Sequence, residues 1–199
     1  MKITKGWFKE HDGKWFLRTS DNGVSHNNFK RTPVGQWNVA TNWTGEPSCN
    51  ACGGFFGIDP EAYRFGLPIR KTFELCLWRG DRVVIDGDKI CVRGYKVVSV
   101  DADIPDEAFN LCGIFTPQNL ETITPKDGEV YLIRQNRMVN ISNQSGGYCW
   151  FHGNSKCGTV SGQSGGNCWF YGNSKCGTVS GQSGGNCWFY GNSKCGKRE

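Results

Sequence analysis

One segment of this chain repeats itself residue for residue: Ser161 to Gly177 reads SGQSGGNCWFYGNSKCG, and Ser180 to Gly196 reads the same, an offset of 180 − 161 = 19 residues. An earlier copy, Ser142 to Gly158, differs only at Asn143, Tyr148 and His152. A fixed period in this range is the signature of a solenoid, in which each repeat buries its apolar side only by stacking on its neighbours. Within each period lies a weaker half-repeat (apolar, any residue, Gly or Asn, Asn or Gln, Ser), starting at Ile141, Phe151, Val160, Phe170, Val179 and Phe189. The density of glycine excludes helix. A flexible Gly/Ser linker lacks large apolar residues, so the fixed return of Trp, Phe, Cys and Val argues for order. The segment 129–199 is therefore expected to form a short β-solenoid of 19-residue coils, about three of them.

Strand parity sorts the side chains of CWFYGNSKC, Cys187 to Cys195. Alternation places Cys187, Phe189, Gly191, Ser193 and Cys195 inside a narrow coil and sends Trp188, Tyr190, Asn192 and Lys194 outward. Repeated along the coils, the outward set predicts four rows: Trp150, Trp169 and Trp188; His152, Tyr171 and Tyr190; Asn154, Asn173 and Asn192; Lys156, Lys175 and Lys194. The inward cysteines, Cys149/Cys168/Cys187 and Cys157/Cys176/Cys195, read as small buried hydrophobes.

Residues 1–128 have the composition of an ordinary α+β domain, mostly β. Aromatic and β-branched residues predict strands at Ile3–Phe8, Lys14–Arg18, Gln36–Ala40, Lys71–Trp78, Arg82–Ile85 and Cys91–Val100, with a hairpin turn at Asp86-Gly87-Asp88. Asp59-Pro60-Glu61-Ala62-Tyr63-Arg64-Phe65-Gly66 reads as a helix with an Asp cap, proline at its first position and a glycine stop. A second helix is expected over Asp106–Leu111. The turn Thr124 to Gly128 then hands the chain to Val130–Ile133, the expected first strand of the solenoid. The fold class is an α+β N-terminal domain followed by a short C-terminal β-solenoid.

Eleven cysteines would suggest a disulfide framework in an exported chain, but the number is odd and the start, MKITKGWFKEHDG, has no apolar run of a secretory signal. Reduced thiols are the expectation. Cys49 and Cys52 have the spacing of a zinc half-site, yet no second CxxC or CxxH supplies the other ligands, so no metal is expected. The longest apolar stretches, such as Val83 to Ile85, are far shorter than the roughly 20 residues of a membrane span.

The net charge of +5 is concentrated in residues 140–199, which hold Lys156, Lys175, Lys194, Lys197 and Arg198 against Glu199 alone. Such a segment favours an anionic partner. No GxSxG, HExxH, Walker or dinucleotide motif occurs. Of the three histidines, His11, His26 and His152, the last is replaced by tyrosine in the next two copies.

The residues resemble phage and bacterial proteins in which a domain of about 100 residues precedes a solenoid of nine-residue repeats. Their unit is roughly Gly-Asn-Ala-x-Ile-x-x-Val-x, and Gly172-Asn173-Ser174-Lys175-Cys176-Gly177-Thr178-Val179-Ser180 follows it with Ser and Cys for Ala and Ile. The N-terminal domain is similar in Cys52-Gly53-Gly54-Phe55-Phe56 and in Gly87-Asp88-Lys89, but has Phe55-Phe56 where members often carry a histidine. The resemblance implies a viral source and no established reaction.

The sequence thus points to a virus-encoded, non-enzymatic binding or structural protein without a cofactor, in the host cytoplasm or the virion, whose repeats present Trp, Tyr, Asn and Lys to nucleic acid or glycan. The alternative is a small nucleotide-binding or nucleotide-transferring enzyme displayed on the solenoid. A final coil with exposed strand edges predicts a homodimer through the C-terminal coils.

Overall fold

The computed structural model describes residues 3–25, 28–63 and 70–199. The chain divides into two compact units, Met1–Cys112 and Gly113–Glu199.

The first unit opens with helix α1 (Lys5–Glu10), where a strand was expected over Ile3–Phe8. Helical spacing brings His11 four residues on from Trp7, so that the two rings stack at 4.4 Å while Trp7 and Phe8 are both buried. An antiparallel sheet follows, made of β1 (Trp15–Ser20), β2 (Trp37–Val39), β3 (Phe55–Gly57), β4 (Thr72–Ile85) and β5 (Lys89–Val100). Its order is β1-β4-β5-β2, with β3 also paired to β5. The expected strands Lys71–Trp78 and Arg82–Ile85 are parts of the single strand β4, whose pairing with β5 shifts register between Arg79 and Arg82. A bulge absorbs the extra residues without breaking the strand. The β4–β5 hairpin turns where expected, with positive φ at both Asp86 (53°) and Gly87 (70°) and Asp88 N–H donating to the Ile85 carbonyl at 3.0 Å. Two successive left-handed residues match the strand twist, which is why an Asp-Gly pair stands there.

The helix expected from Asp59 does not form over Asp59–Tyr63, and its remainder, 64–66, lies outside the described residues. Asp59 Oδ1 accepts from the backbone N–H of Glu61 (3.0 Å) and Ala62 (2.9 Å), closing a tight reversal in which Asp59 and Ala62 also exchange backbone hydrogen bonds. Capping and turn formation use the same Asp-Pro pattern. Here Arg82 decides between them, because its guanidinium grips Asp59 Oδ2 at 2.6 Å and ties the turn to β4. Helix α2 (Asp106–Leu111) forms as expected and buries Ala108 and Phe109.

The second unit is a β-solenoid. Its strands are β6 (Ile114–Phe115), β7 (Thr122–Ile123), β8 (Val130–Ile133), β9 (Met138–Ser142), β10 (Tyr148–Phe151), β11 (Lys156–Ser161), β12 (Asn167–Phe170), β13 (Lys175–Ser180), β14 (Asn186–Phe189) and β15 (Lys194–Arg198). They form two five-stranded parallel sheets, β14-β12-β10-β8-β6 and β15-β13-β11-β9-β7. Identical residues stand opposite one another: Cys149 pairs with Cys168, Trp150 with Trp169 and Phe151 with Phe170. The solenoid starts at Ile114, ahead of the expected first strand, because Ile114–Phe115 lies in register with Val130–Tyr131. This opening coil has none of the Gly-Asn words of the repeat and needs only inward apolar side chains, Ile114 and Ile123, both buried.

Inside the coils the Phe151, Phe170 and Phe189 rings stack at 4.4 and 4.6 Å, nearly parallel. Cys149, Cys157, Cys168, Cys176, Val160 and Val179 complete the column. The expected sorting holds for the buried thiols and phenyl rings. Dispersion between stacked identical rings adds to the apolar area removed from water, so the column is the main cohesive element of the unit.

Candidate functional site

The outward rows arise from the same register that builds the core. Lys156 stands opposite Lys175 and Lys175 opposite Lys194, all three exposed and, among the described residues, without an ion-pair partner. Asn173 Nδ2 donates to Asn154 Oδ1 at 3.2 Å and Asn192 Nδ2 to Asn173 Oδ1 at 3.4 Å, a continuous amide ladder. Tyr171 and Tyr190 stack at 4.9 Å with planes 10° apart. Burial, and then the neighbouring Tyr190, push the Tyr171 phenol up, so it stays a donor.

The tryptophan row departs from expectation. Trp150 is only 6% exposed, with its indole N–H buried and without a hydrogen-bond partner among the described residues, whereas Trp188 is 48% exposed. Trp169 is half-buried and stacks on Tyr148 at 5.1 Å. A column of identical residues does not share one environment, because each coil has different neighbours. The accessible tryptophan surface is therefore that of Trp188 and part of Trp169. Nor do the four rows lie on one plane: the Trp and Tyr rows belong to and follow the β10-β12-β14 sheet, the Asn row lies in the turn, and the Lys row begins the β11-β13-β15 sheet. The rows wrap a corner. Within the Tyr row the ring faces are turned on each other.

In the first unit, Cys52 is joined to Cys91 by a disulfide, and Cys49 is a free, exposed thiol. This corrects the expectation of reduced thiols throughout. Pairing of Phe56 with Cys91 lays β3 along β5, and Cys52 arrives just before β3, so the two sulfurs meet in a buried pocket of the sheet. Cys49 and Cys52 therefore do not present two thiolates together.

Sequence reasoning missed a buried ionic cluster on the sheet. Glu74 on β4 is fully buried; Arg31 Nε meets its Oε1 at 2.6 Å, and Ser20 Oγ donates to the same oxygen at 2.8 Å. Arg18, its partner in register on β1, holds Nε 3.3 Å from Oε2, within ion-pair reach but not aligned as a hydrogen bond. The Arg18 guanidinium lies 4.5 Å over the centre of the Tyr95 ring. Burial, followed by the Glu74 charge, pushes the adjacent Cys76 thiol up. A lone carboxylate inside the apolar run Phe73-Glu74-Leu75-Cys76-Leu77 was the one signal that could have revealed this cluster.

The class that this architecture defines is a two-unit, mostly β chain ending in a β-solenoid with laddered polar rows. Compared with known proteins, the chain matches no family model, no curated protein and no solved structure.

Proposed function

We propose that the protein is a non-enzymatic binding protein whose solenoid holds single-stranded nucleic acid along the lysine column. The observation that carries this reading is the in-register row Lys156, Lys175 and Lys194, exposed and free of ion pairs among the described residues. Like charges held one strand spacing apart repel, and a polyanion laid along them relieves that repulsion. The Asn154/Asn173/Asn192 ladder and the Tyr171 and Tyr190 hydroxyls supply further donors beside it. Since the tyrosine faces are used on each other, base or sugar stacking falls to Trp188 and the outer face of Tyr190, and contact is mainly to phosphates. The Gly-Asn repeat unit supports a phage source for such a protein, acting in the host cytoplasm or in the virion. The outermost strands β14 and β15, each with one neighbour in its sheet, support a dimer through these coils, which light scattering would test.

Fluorescence anisotropy with a labelled oligothymidylate tests the ligand. With three lysines engaged, log K is expected to fall with log salt at a slope of about −2, and at about −0.7 in Lys175→Ala/Lys194→Ala. A neutral oligosaccharide is expected to be silent. Salt-independent binding, or tighter binding of the neutral glycan, would overturn the reading.

A further inference from the structure

The ionic cluster of the first unit is not closed on itself. Two arginines, Arg18 and Arg31, face one carboxylate, Glu74, so the buried group carries an excess of one positive charge. Arg18 Nη1 and the Tyr95 hydroxyl are both buried with no hydrogen-bond partner among the described residues. Buried donors are nearly always paired, and an unpaired one is costly, so these two call for an acceptor. They belong to one locus because the Arg18 guanidinium is stacked on the Tyr95 ring. The hydroxyl remains a donor, since burial pushes its ionisation up. Glu74 does not serve as the acceptor for Tyr95: its oxygens face Arg18, Arg31 and Ser20.

An aromatic path leads outward from the same point. The Tyr95 ring meets Phe55 at 4.7 Å, Phe55 meets Phe29 at 5.0 Å, and Phe29 is 37% exposed. The locus thus joins a cationic, donor-rich end to a run of packed aromatic rings that reaches solvent at Phe29. We propose that it binds a small aromatic oxyanion, whose carboxylate or phosphate accepts from Arg18 Nη1 and the Tyr95 hydroxyl while its ring lies along Phe55 and Phe29. This site is separate from the lysine column and does not depend on it.

Calorimetric titration of the intact protein with phenyl phosphate, benzoate, inorganic phosphate and benzyl alcohol tests the proposal. At least one of the two aromatic anions is expected to bind with Kd below about 1 mM, inorganic phosphate more weakly, and benzyl alcohol not in that range. Whichever aromatic anion binds tighter distinguishes a phosphate from a carboxylate ligand. Tyr95→Phe keeps the ring beneath Arg18 and removes only the hydroxyl, and it is expected to weaken binding about tenfold. Arg18→Lys is expected to weaken it at least as much, because a single ammonium replaces the planar fork. Circular dichroism establishes that each variant is folded. The proposal is overturned if neither aromatic anion binds in that range, if benzyl alcohol binds as well as the anions, or if folded Tyr95→Phe binds as tightly as the parent. The unpaired donors would then be met by buried water alone.

Discussion

Cys168 points its thiol at the side-chain oxygen of Gln144 in the preceding coil, Sγ to Oε1 at 3.1 Å. Gln163 Nε2 donates to that same oxygen at 3.0 Å, and Gln182 in turn donates to Gln163 Oε1. A ladder of glutamines therefore runs beside the cysteine column and joins each coil to the next.

Gln163 is the middle rung and is fully buried. Gln163→Ala removes the amide donor from buried Gln144, whose oxygen keeps only the weaker Cys168 thiol, and turns the exposed Gln182 back to water. The loss therefore falls on the Gln144 side and on the vacated amide site, at about 1–3 kcal/mol. The solenoid is expected to lose about 2 kcal/mol or more, read as a lower urea midpoint. A change within about 0.5 kcal/mol, typical of surface positions, would mean that the ladder contributes little cohesion.

The disulfide closes a loop with a sequence separation of 39 between Cys52 and Cys91. By chain entropy such a link stabilises the first unit by about 4 kcal/mol. Cys91→Ser is expected to lower the unfolding temperature of that unit, and added reductant to do the same to the parent but not to the variant. Alkylation of denatured, unreduced protein should spare only Cys52 and Cys91. Full modification of all cysteines would show that the bond is not formed.

The solenoid was legible because its information is redundant. Cys149, Cys168 and Cys187 recur at one period, and burial follows directly from strand parity. The opening coil was not, because Ile114 and Ile123 carry its inward positions without any repeated word around them. Asp59 was misread for a physical reason: a capping aspartate and a turn aspartate look alike until Arg82, brought from β4, engages the carboxylate. The Trp and Lys residues stand in register from coil to coil and the Asn residues form a ladder, but Trp150 shows that parity gives direction and not exposure. Glu74 and its arginines lie far apart in the chain, and only the antiparallel register of β1 and β4 unites Arg18 with Glu74.

Buried thiols make stability fall in alkali. Burial pushes the Cys76 and Cys112 thiols well above their ordinary value of 9.0, and hydrogen bonding with Cys149 followed by burial does so for Cys168. A raised folded value means that the unfolded chain gives up its proton first. The contribution is intact below pH 9 and shrinks as pH rises beyond it, at about 1.4 kcal/mol per pH unit for each such thiol. Cys76→Val, close in volume and non-titrating, is expected to flatten the decline of the first unit between about pH 9 and 10.5 by that amount. Denaturant unfolding across this range checks it, and an unchanged slope would show that Cys76 titrates alike in both states.

Two glycines with the same backbone conformation separate strain from collision. Gly153 and Gly166 have φ of 69° and 68°, so alanine at either incurs the left-handed penalty, about 1–2 kcal/mol. At Gly153 an added methyl meets nothing within 4 Å, and the backbone penalty is the whole cost. At Gly166 it would sit 2.3 Å from the Gly146 carbonyl oxygen and 2.6 Å from Gln144 Nε2, inside the contact that lets one coil settle on the next. The coils would have to part there, which breaks the parallel pairing and the glutamine ladder together. Gly166→Ala is therefore expected to destabilise the solenoid by several kcal/mol more than Gly153→Ala, enough to expose the cysteine column to alkylation in the otherwise native protein. Equal unfolding midpoints for the two variants would show that the coils are spaced more loosely than this contact requires.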